Sequence, residues 1–331
     1  MFADRNTRWP LAAGALILTS AAFLPFLGCG ASDDPWPADR RGPKIVVSFA
    51  PIYCFAANVA GDDAVVKSLM STSGPHEFNP TDVEARLLRK ADLLFINGLG
   101  LDEEMAKALK KGSGNRNMKV IELGERIPDE KLLGSAGHHD HGDGHKHDHG
   151  EGGHDPHVWL SPEQAAVMVE GIRDELKAAD SGHAADYDRR ATEYVAKLRD
   201  LKAQGLALLN DKKDRKLVTF HESLSYFARD FNLAIEGVVE KKPGVEPNSD
   251  EMNALIKLCV EKKVRLIAVE PQYTSNTSAK AILDELKRKG IADAELVEID
   301  PLETVTPTAL TADWYTRRMQ DNLKALADRM K

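Results

Sequence analysis

The chain has 331 residues, which is enough for two or three domains of ordinary size. Hydrophobic residues make up 42% of it and charged residues 29%, a balance that excludes a disordered or collagen-like chain. The net charge of −8 argues against a nucleic-acid-binding protein, because such proteins normally carry a basic surface. Seven of the eleven histidines fall between His138 and His154, which makes metal binding the first chemistry to consider.

Residues 1–29 have the pattern of an export signal, in which two arginines precede an apolar run from Leu11 to Leu27. A proline interrupts the run, which is slightly short for a membrane span; a buried helix or an N-terminal membrane anchor is the alternative. The run ends in FLGC, which resembles the lipobox of bacterial lipoproteins and makes Cys29 the candidate for lipidation. The two residues before Gly28 depart from the usual lipobox, so cleavage without lipidation stays open. Residues 30–43 predict a flexible tether.

Strands and helices alternate after the tether. Strands are predicted at Lys44–Phe49, Ala64–Met70, Ala91–Asn97 and Met118–Leu123, and helices at Ile52–Ala60, from Thr81, at Leu101–Lys111 and from Ser161. Thr81 and Glu84 form the sequence pattern of a capping box, which marks the start of a helix. The nearly continuous apolar run ADLLFIN is typical of a strand covered on both faces. This alternation predicts a parallel sheet in an N-terminal α/β lobe over 44–182.

A long amphipathic helix is predicted over 183–211. Apolar residues from Tyr187 to Leu208 recur at steps of three and four, and the helix would be about 40 Å long at 1.5 Å per residue. Two shorter helices that break near Gly205 are the alternative. Strands and helices then alternate again over 212–331, including a helix that Ser249 is expected to cap. The predicted fold is therefore α/β, with two lobes of mainly parallel sheet flanked by helices and one long helix between them.

Two cysteines follow Cys29. Cys54 and Cys259 lie far apart in sequence and in different predicted lobes. We expect two small buried hydrophobic side chains rather than a disulfide.

The loop over 137–154 contains the sequence HHDHGDGHKHDHGEGGH. It has no apolar residues to bury, and its glycines oppose regular structure. A purification tag is the trivial explanation, but the internal position and the irregular spacing argue against it. The alternation of His with Asp and Glu predicts labile metal capture on a loop. The histidines available for it are His138, His139, His141, His145, His147, His149 and His154.

Three other histidines lie at the ends of predicted elements. His76 follows a strand, His157 precedes the helix that begins at Ser161, and His221 ends the strand LVTFH. Ligands of open α/β sheets bind outside the carboxyl ends of the strands, where His76, His221 and also Asp300, in IDPLE, are expected. Each of these residues, taken alone, is equally compatible with a structural role. His183 begins a helix and is predicted to be a surface residue.

Together these motifs resemble a family, the solute-binding lipoproteins of bacterial metal-ion ABC importers and especially the zinc-specific ZnuA-like group. The motifs that carry the resemblance are, in order, SFAPIYCFAANVAG, GPHEF, ADLLFINGLGLDE, the His-rich loop, DPHVWLSP, TFHESLSYFARDF, VEPQY and IDPLE. The resemblance covers about Lys44 to Lys331. DPHVW after a His-rich loop is its most specific feature.

The resemblance implies that His76, His157 and His221 bind the metal. It places Asp300 as the fourth ligand, with Glu77, Glu270 or water as the alternatives. It also implies that the linking helix is rigid and that the metal lies at the interface of the lobes. The corresponding ion is Zn²⁺, because three imidazoles and one carboxylate suit it, whereas Mn²⁺ prefers oxygen donors.

The resulting hypothesis is an exported, monomeric zinc-capture protein that is not an enzyme. It would act in the periplasm or at the outer face of the cytoplasmic membrane, with a lipid anchor at Cys29, and would deliver Zn²⁺ to an ABC permease. A zinc-dependent hydrolase is one alternative, although the sequence has no HExxH motif. A surface adhesin or metal store is another.

Overall fold

The computed structural model describes residues 34–37, 42–76, 78–134, 153–240, 245–272 and 277–331. The export signal with Cys29, most of the tether, Glu77, and every histidine of the His-rich loop except His154 lie outside the described residues. Among the described helices, none is both long enough and apolar enough to cross a membrane.

The N-terminal lobe is built on a parallel sheet of four strands in the order β2-β1-β3-β4. Its elements are β1 (Lys44–Val47), α1 (Ala50–Ala60), β2 (Val65–Ser68), α2 (Asp82–Leu88), β3 (Leu93–Ile96), α3 (Glu103–Ser113), β4 (Lys119–Glu122) and α4 (Pro162–Ala179). All four residues of β3 are buried, as the run ADLLFIN predicts for a strand with helices on both faces. The Thr81 capping box is formed, since the Glu84 carboxylate accepts from Thr81 N at 2.8 Å.

The predicted long helix is α5 (Ala184–Leu208), a single element of 25 residues that follows α4 in the chain. Tyr187, Tyr194 and Leu198 are among its buried residues, and they lie on one stripe at helical spacing. The helix continues through Gly205. A Cβ at this position would lie 2.4 Å from the Phe231 ring, so the glycine allows close packing rather than ending the helix.

The C-terminal lobe repeats the topology of the first, with a parallel sheet in the order β6-β5-β7-β8. Its elements are β5 (Lys216–Thr219), α6 (Ser225–Asp230), β6 (Ala234–Val238), α7 (Ser249–Lys262), β7 (Leu266–Val269), α8 (Thr277–Arg288), β8 (Glu295–Glu298) and α9 (Trp314–Arg329). The predicted cap of α7 is wrong by one residue, because Asn248 caps the helix: its side-chain Oδ1 accepts from the backbone N–H groups of Asp250 and Glu251, and the Glu251 carboxylate accepts from Asn248 N to complete a capping box. The predicted fold class of two parallel-sheet α/β lobes is confirmed.

The larger hydrophobic cluster joins the two lobes. It contains Phe95 of β3, Leu217 of β5 and Tyr315 of α9, and it belongs to one compact unit that spans Pro35–Lys331. Cys54 and Cys259 are both free and buried, as expected, and the Cys54 thiol donates to Thr311 O at 3.3 Å.

Candidate metal centre

Four side chains meet where the chain leaves the carboxyl ends of three strands. His76 follows β2, His221 follows β5 and Glu303 follows β8. His157 comes from a different element, the turn that immediately precedes α4. All four ligand atoms lie within 4.8 Å of one another. β5 and β8 belong to one sheet, and the carboxyl ends of its parallel strands bring His221 and Glu303 to the same edge, whereas His76 follows a strand of the other sheet.

The donor atoms are spaced as a small ion requires. His76 Nε2 lies 3.2 Å from His157 Nε2. Glu303 Oε1 lies 3.7 Å from His76 Nε2, 3.8 Å from His157 Nε2 and 3.5 Å from His221 Nε2. Four ligands in a tetrahedron around Zn²⁺, with bonds of about 2.0–2.1 Å, are separated by about 3.3 Å. The four separations of 3.2–3.8 Å are close to this value, and all of the donor atoms lie within 4.8 Å of one another.

Buried carboxylates hold two of the imidazoles from behind. Asp155 Oδ1 accepts from His157 Nδ1 at 2.7 Å and from His157 N at 2.9 Å. Glu270 Oε1 lies 2.5 Å from His221 Nδ1, and Glu270 Oε2 accepts from the Gln272 amide at 2.8 Å. A carboxylate at Nδ1 fixes the tautomer that leaves the Nε2 lone pair free for a metal. Asp155 and Glu270 therefore orient His157 and His221 toward the centre of the group.

Burial and charge act in opposite directions on the titratable groups of the site. Burial lowers the pKa of His76 to about 4 despite the opposing charge of Glu303. Burial also favours the neutral form of His221, but the hydrogen bond to Glu270 and the charge of Glu303 outweigh it and raise the pKa to about 10. In Glu303 burial is outweighed by the facing His221, and the carboxyl pKa is lowered. Glu303 is therefore a carboxylate and His221 an imidazolium at neutral pH.

Two donor atoms have unused hydrogen-bonding capacity. Among the described residues, His221 Nε2 and Glu303 Oε1 are buried polar atoms without a hydrogen-bond partner. Such an atom costs about 1–3 kcal/mol when it is left unsatisfied. A metal cation that displaces the His221 proton would satisfy both.

The His76 side chain forms the accessible side of the group. It keeps 24% of its surface exposed, against 6% for His157 and 2% for His221. A cavity of about 210 Å³ lies beside it, lined by Ser73, Gln272 and Thr304 among others. Three donors are thus enclosed by the protein, and the fourth borders solvent.

The structure brings three of the four predicted ligands together and replaces the fourth. Asp300 is outside the group: its Oδ1 accepts from Leu302 N at 2.8 Å, and its Oδ2 lies 3.7 Å from Arg318 Nε. The chain turns after Asp300 through Leu302, which has φ of 63°, and this turn delivers Glu303 to the histidines. In the structure Glu303, rather than the predicted Asp300, joins the three histidines. The motif IDPLE contains both acids, so the only sign of Glu303 in the sequence is a second carboxylate three residues after Asp300.

The remaining candidates take other places. Glu270 contacts His221 Nδ1, on the far side of the ring from the donor group. His154 forms an antiparallel bridge with Gly134. His183 is an exposed residue whose Nδ1 lies 2.7 Å from Asp180, as expected for a surface histidine.

Known proteins share this arrangement of lobes. The family model for zinc-uptake complex component A, periplasmic (ZnuA), matches residues 45–329. The zinc-binding protein AdcA of Streptococcus pyogenes is 32% identical over 299 residues, which cover 86% of this chain and 55% of AdcA. The high-affinity zinc uptake system protein ZnuA of Bacillus subtilis is 29% identical, with 83% of this chain and 85% of that protein covered. Among solved structures, the solute-binding protein FpvC of Pseudomonas aeruginosa in complex with Mn²⁺ superposes with a TM-score of 0.73 at 26% identity, covering 88% of this chain and 98% of FpvC.

The matched regions differ in length between the relatives and the family model. The chain spans about half the length of AdcA, whereas the ZnuA family model matches almost all of the described structure. The matched residues include both sheets, the long helix and all four donors of the candidate metal centre. This chain belongs to the ZnuA family of zinc-uptake complex component A proteins.

Proposed function

We propose that this protein captures Zn²⁺ outside the cytoplasm and delivers it to an ABC permease. The observation that carries the proposal is the convergence of His76, His157, His221 and Glu303 around one point. Zinc is here the transported substrate, and the chain holds it without chemical change. The names of the related AdcA and ZnuA proteins support zinc as the ion.

The donor set favours zinc over manganese. Three imidazole nitrogens and one carboxylate oxygen suit Zn²⁺, whereas Mn²⁺ prefers a set richer in oxygen. The affinity order of divalent ions also places Mn²⁺ lowest for a given site. Manganese is the second candidate ion because FpvC, with a similar fold, was solved with Mn²⁺.

The geometry also supports binding rather than hydrolysis. A catalytic zinc usually has three protein ligands and keeps a fourth position open for water. Here Glu303 supplies a fourth protein donor at 3.5–3.8 Å from each histidine nitrogen. We therefore propose that the protein is not an enzyme.

The location and partners follow from the same proposal. The family description is periplasmic, and residues 1–29 have the pattern of an export signal. We propose that the mature chain acts as a monomer in the periplasm or at the outer face of the cytoplasmic membrane, anchored at Cys29 if the FLGC segment is lipidated. Its partner is the permease of a metal importer.

The proposed organisation assigns each part of the chain a task. Lobes over 44–182 and 212–331 supply the ligands, and the helix over 183–211 links them rigidly. The His-rich loop over 137–154 captures further metal weakly. An ion at the four-residue site contacts both lobes, because Glu303 and His221 belong to one and His76 to the other.

Elemental analysis of the purified protein, combined with competitive titration by zinc, manganese and nickel, tests the function. We expect one tight equivalent of zinc, bound more tightly than manganese. Absence of a tight equivalent, or hydrolytic turnover by the zinc-loaded protein, would contradict the proposal.

A further inference from the structure

The two chain segments that flank residues 135–152 are paired with each other. Gly134 forms an antiparallel bridge with His154, and Asp155 N donates to Leu133 O at 2.8 Å. The described segments before and after residues 135–152 are therefore adjacent. This short pair, called here the loop base, consists of Leu133–Gly134 and His154–Asp155.

One side chain of the opposite lobe holds both strands of the loop base. The hydroxyl of Tyr226, in α6, accepts from Leu133 N at 2.9 Å and donates to Asp155 O at 2.9 Å. A phenol has one hydrogen to donate, so each partner has a fixed role. Tyr226 is fully buried, and the Arg229 guanidinium lies 5.0 Å from its ring centroid.

Arg229 adds a second attachment on the same side. Its Nη1 donates to Lys131 O at 2.6 Å, two residues before the loop base. Helix α6 thus contacts the backbone on both sides of the point where residues 135–152 are inserted. These contacts cross from the C-terminal lobe to the N-terminal lobe.

The Tyr226 hydroxyl is connected to the metal centre through one residue. The Tyr226 hydroxyl donates to the backbone carbonyl of Asp155, and the side-chain Oδ1 of Asp155 accepts hydrogen bonds from the backbone N and the ring Nδ1 of His157. Asp155 and His157 are buried, with 2% and 5% exposure, so neither can turn to solvent for a substitute partner. Displacement of the Asp155 backbone would therefore displace the His157 imidazole.

We propose that Tyr226 is a positioning residue for His157. It fixes the loop base against α6, and through Asp155 this fixes the direction of the His157 Nε2 lone pair. His76, on the accessible side, has no such support from α6 among the described contacts. The inference rests on the proposed function, because it assigns Tyr226 a part in zinc retention.

The test compares Tyr226→Phe with Tyr187→Phe. Both tyrosines are fully buried, but the Tyr187 hydroxyl donates to Asp180, away from the metal centre. We expect Tyr226→Phe to weaken zinc binding about tenfold, mainly through faster release, and Tyr187→Phe to leave it within twofold. Equal affinities for the two variants would overturn the proposal.

A double-mutant cycle separates positioning from a general loss of structure. If Tyr226 acts through His157, Tyr226→Phe should have less than a twofold effect on zinc affinity in the His157→Ala background. Additive effects would contradict the assignment. Co²⁺ supplies a second readout, since a displaced His157 should change the d–d absorption of the bound ion in Tyr226→Phe but not in Tyr187→Phe.

A shortened chain provides a control in case Tyr226→Phe does not fold in the full-length protein. Deletion of Gly137–Gly153 leaves two residues, Ser135 and Ala136, between the bridged Gly134 and His154, which is the length of a tight hairpin turn. Ser135→Asn and Ala136→Gly in the shortened chain supply the Asn-Gly pair that such turns prefer. If Tyr226→Phe fails to fold in the full chain, it should weaken zinc binding in this shortened chain, and unchanged affinity there would refute the proposal. A wild-type chain without a tight zinc equivalent would instead refute the proposed function.

Discussion

Replacement of Glu303 by glutamine tests the fourth ligand. The substitution keeps the size of the side chain and removes its charge. A carboxylate oxygen that carries half a charge, about 2 Å from a divalent ion, contributes about 8 kcal/mol at an effective dielectric constant of 20. Part of this gain is lost, because Glu270 and Glu303 hold a proton on His221 with a pKa of about 10. Expelling that proton at pH 7 costs about 4 kcal/mol.

Glu303 accounts for only part of this cost, because Glu270 also holds the proton, so the net contribution of Glu303 to zinc binding is at least about 4 kcal/mol, or a 10³-fold change in affinity. Competitive titration with a chromophoric chelator measures the change at one pH. The control is Asp300→Asn, which retains an acceptor for Leu302 N and should alter zinc affinity less than threefold. A loss at Asp300 equal to that at Glu303, or less than a tenfold loss at Glu303, would refute the reasoning.

Four further predictions concern the histidine ligands, the His-rich loop and the buried Asp102. His157→Ala removes a buried donor and should reduce zinc affinity at least 100-fold, whereas His183→Ala, at an exposed position, should leave it unchanged; comparable losses in the titration would contradict the assignment. Deletion of Gly137–Gly153 should remove weak zinc equivalents and preserve one tight equivalent by calorimetry, because histidines in a glycine-rich sequence lose conformational entropy when they bind a metal; loss of the tight equivalent would show that the loop supplies a primary ligand. His221→Glu should narrow the zinc-to-manganese affinity ratio by tenfold or more, about 1.4 kcal/mol, because it supplies the oxygen donor that Mn²⁺ prefers, and an unchanged ratio in the folded variant would remove His221 from the site. Burial raises the pKa of Asp102 to about 6, above the ordinary 3.8, so the folded chain binds the extra proton between these values. The free energy of unfolding in the presence of chelator should then fall by about 2 kcal/mol relative to Asp102→Asn as the pH rises from 3.8 to 6, and an equal pH dependence of the unfolding free energy in both chains would contradict this sign.

The sequence predicted the elements of this fold well because local patterns determine them. The fully apolar run of β3 and the capping box at Thr81 both depend on neighbouring residues, and both are present in the structure. The cap of α7 was misplaced by one residue, since Asn248 and Ser249 are both good N-cap residues and only the backbone conformation distinguishes them.

The candidate site was predicted in part. The three histidines were found from strand ends and from the family resemblance. Glu303 was missed because the turn before it passes through Leu302 at φ of 63°. A leucine rarely adopts positive φ, so the sequence gives no sign of this turn. Tyr226 was also missed, since its two hydrogen bonds join segments 93 and 71 residues away in the chain. No local pattern reports contacts of that range.

In the metal centre, some polar atoms of the ligand side chains have hydrogen-bond partners within the protein and others have none. Asp155 and Glu270 satisfy the Nδ1 sides of His157 and His221 completely, which fixes both rings. On the opposite side of the His221 ring, Nε2 lies 3.5 Å from Glu303 Oε1, and both of these atoms are buried without a hydrogen-bond partner among the described residues. A core selected only for stability would close such a gap, because each unsatisfied atom costs about 1–3 kcal/mol. Rigid support behind the ligands and unsatisfied atoms in front of them are the two conditions for a preorganised cation site, and the unsatisfied side faces the position that we assign to zinc.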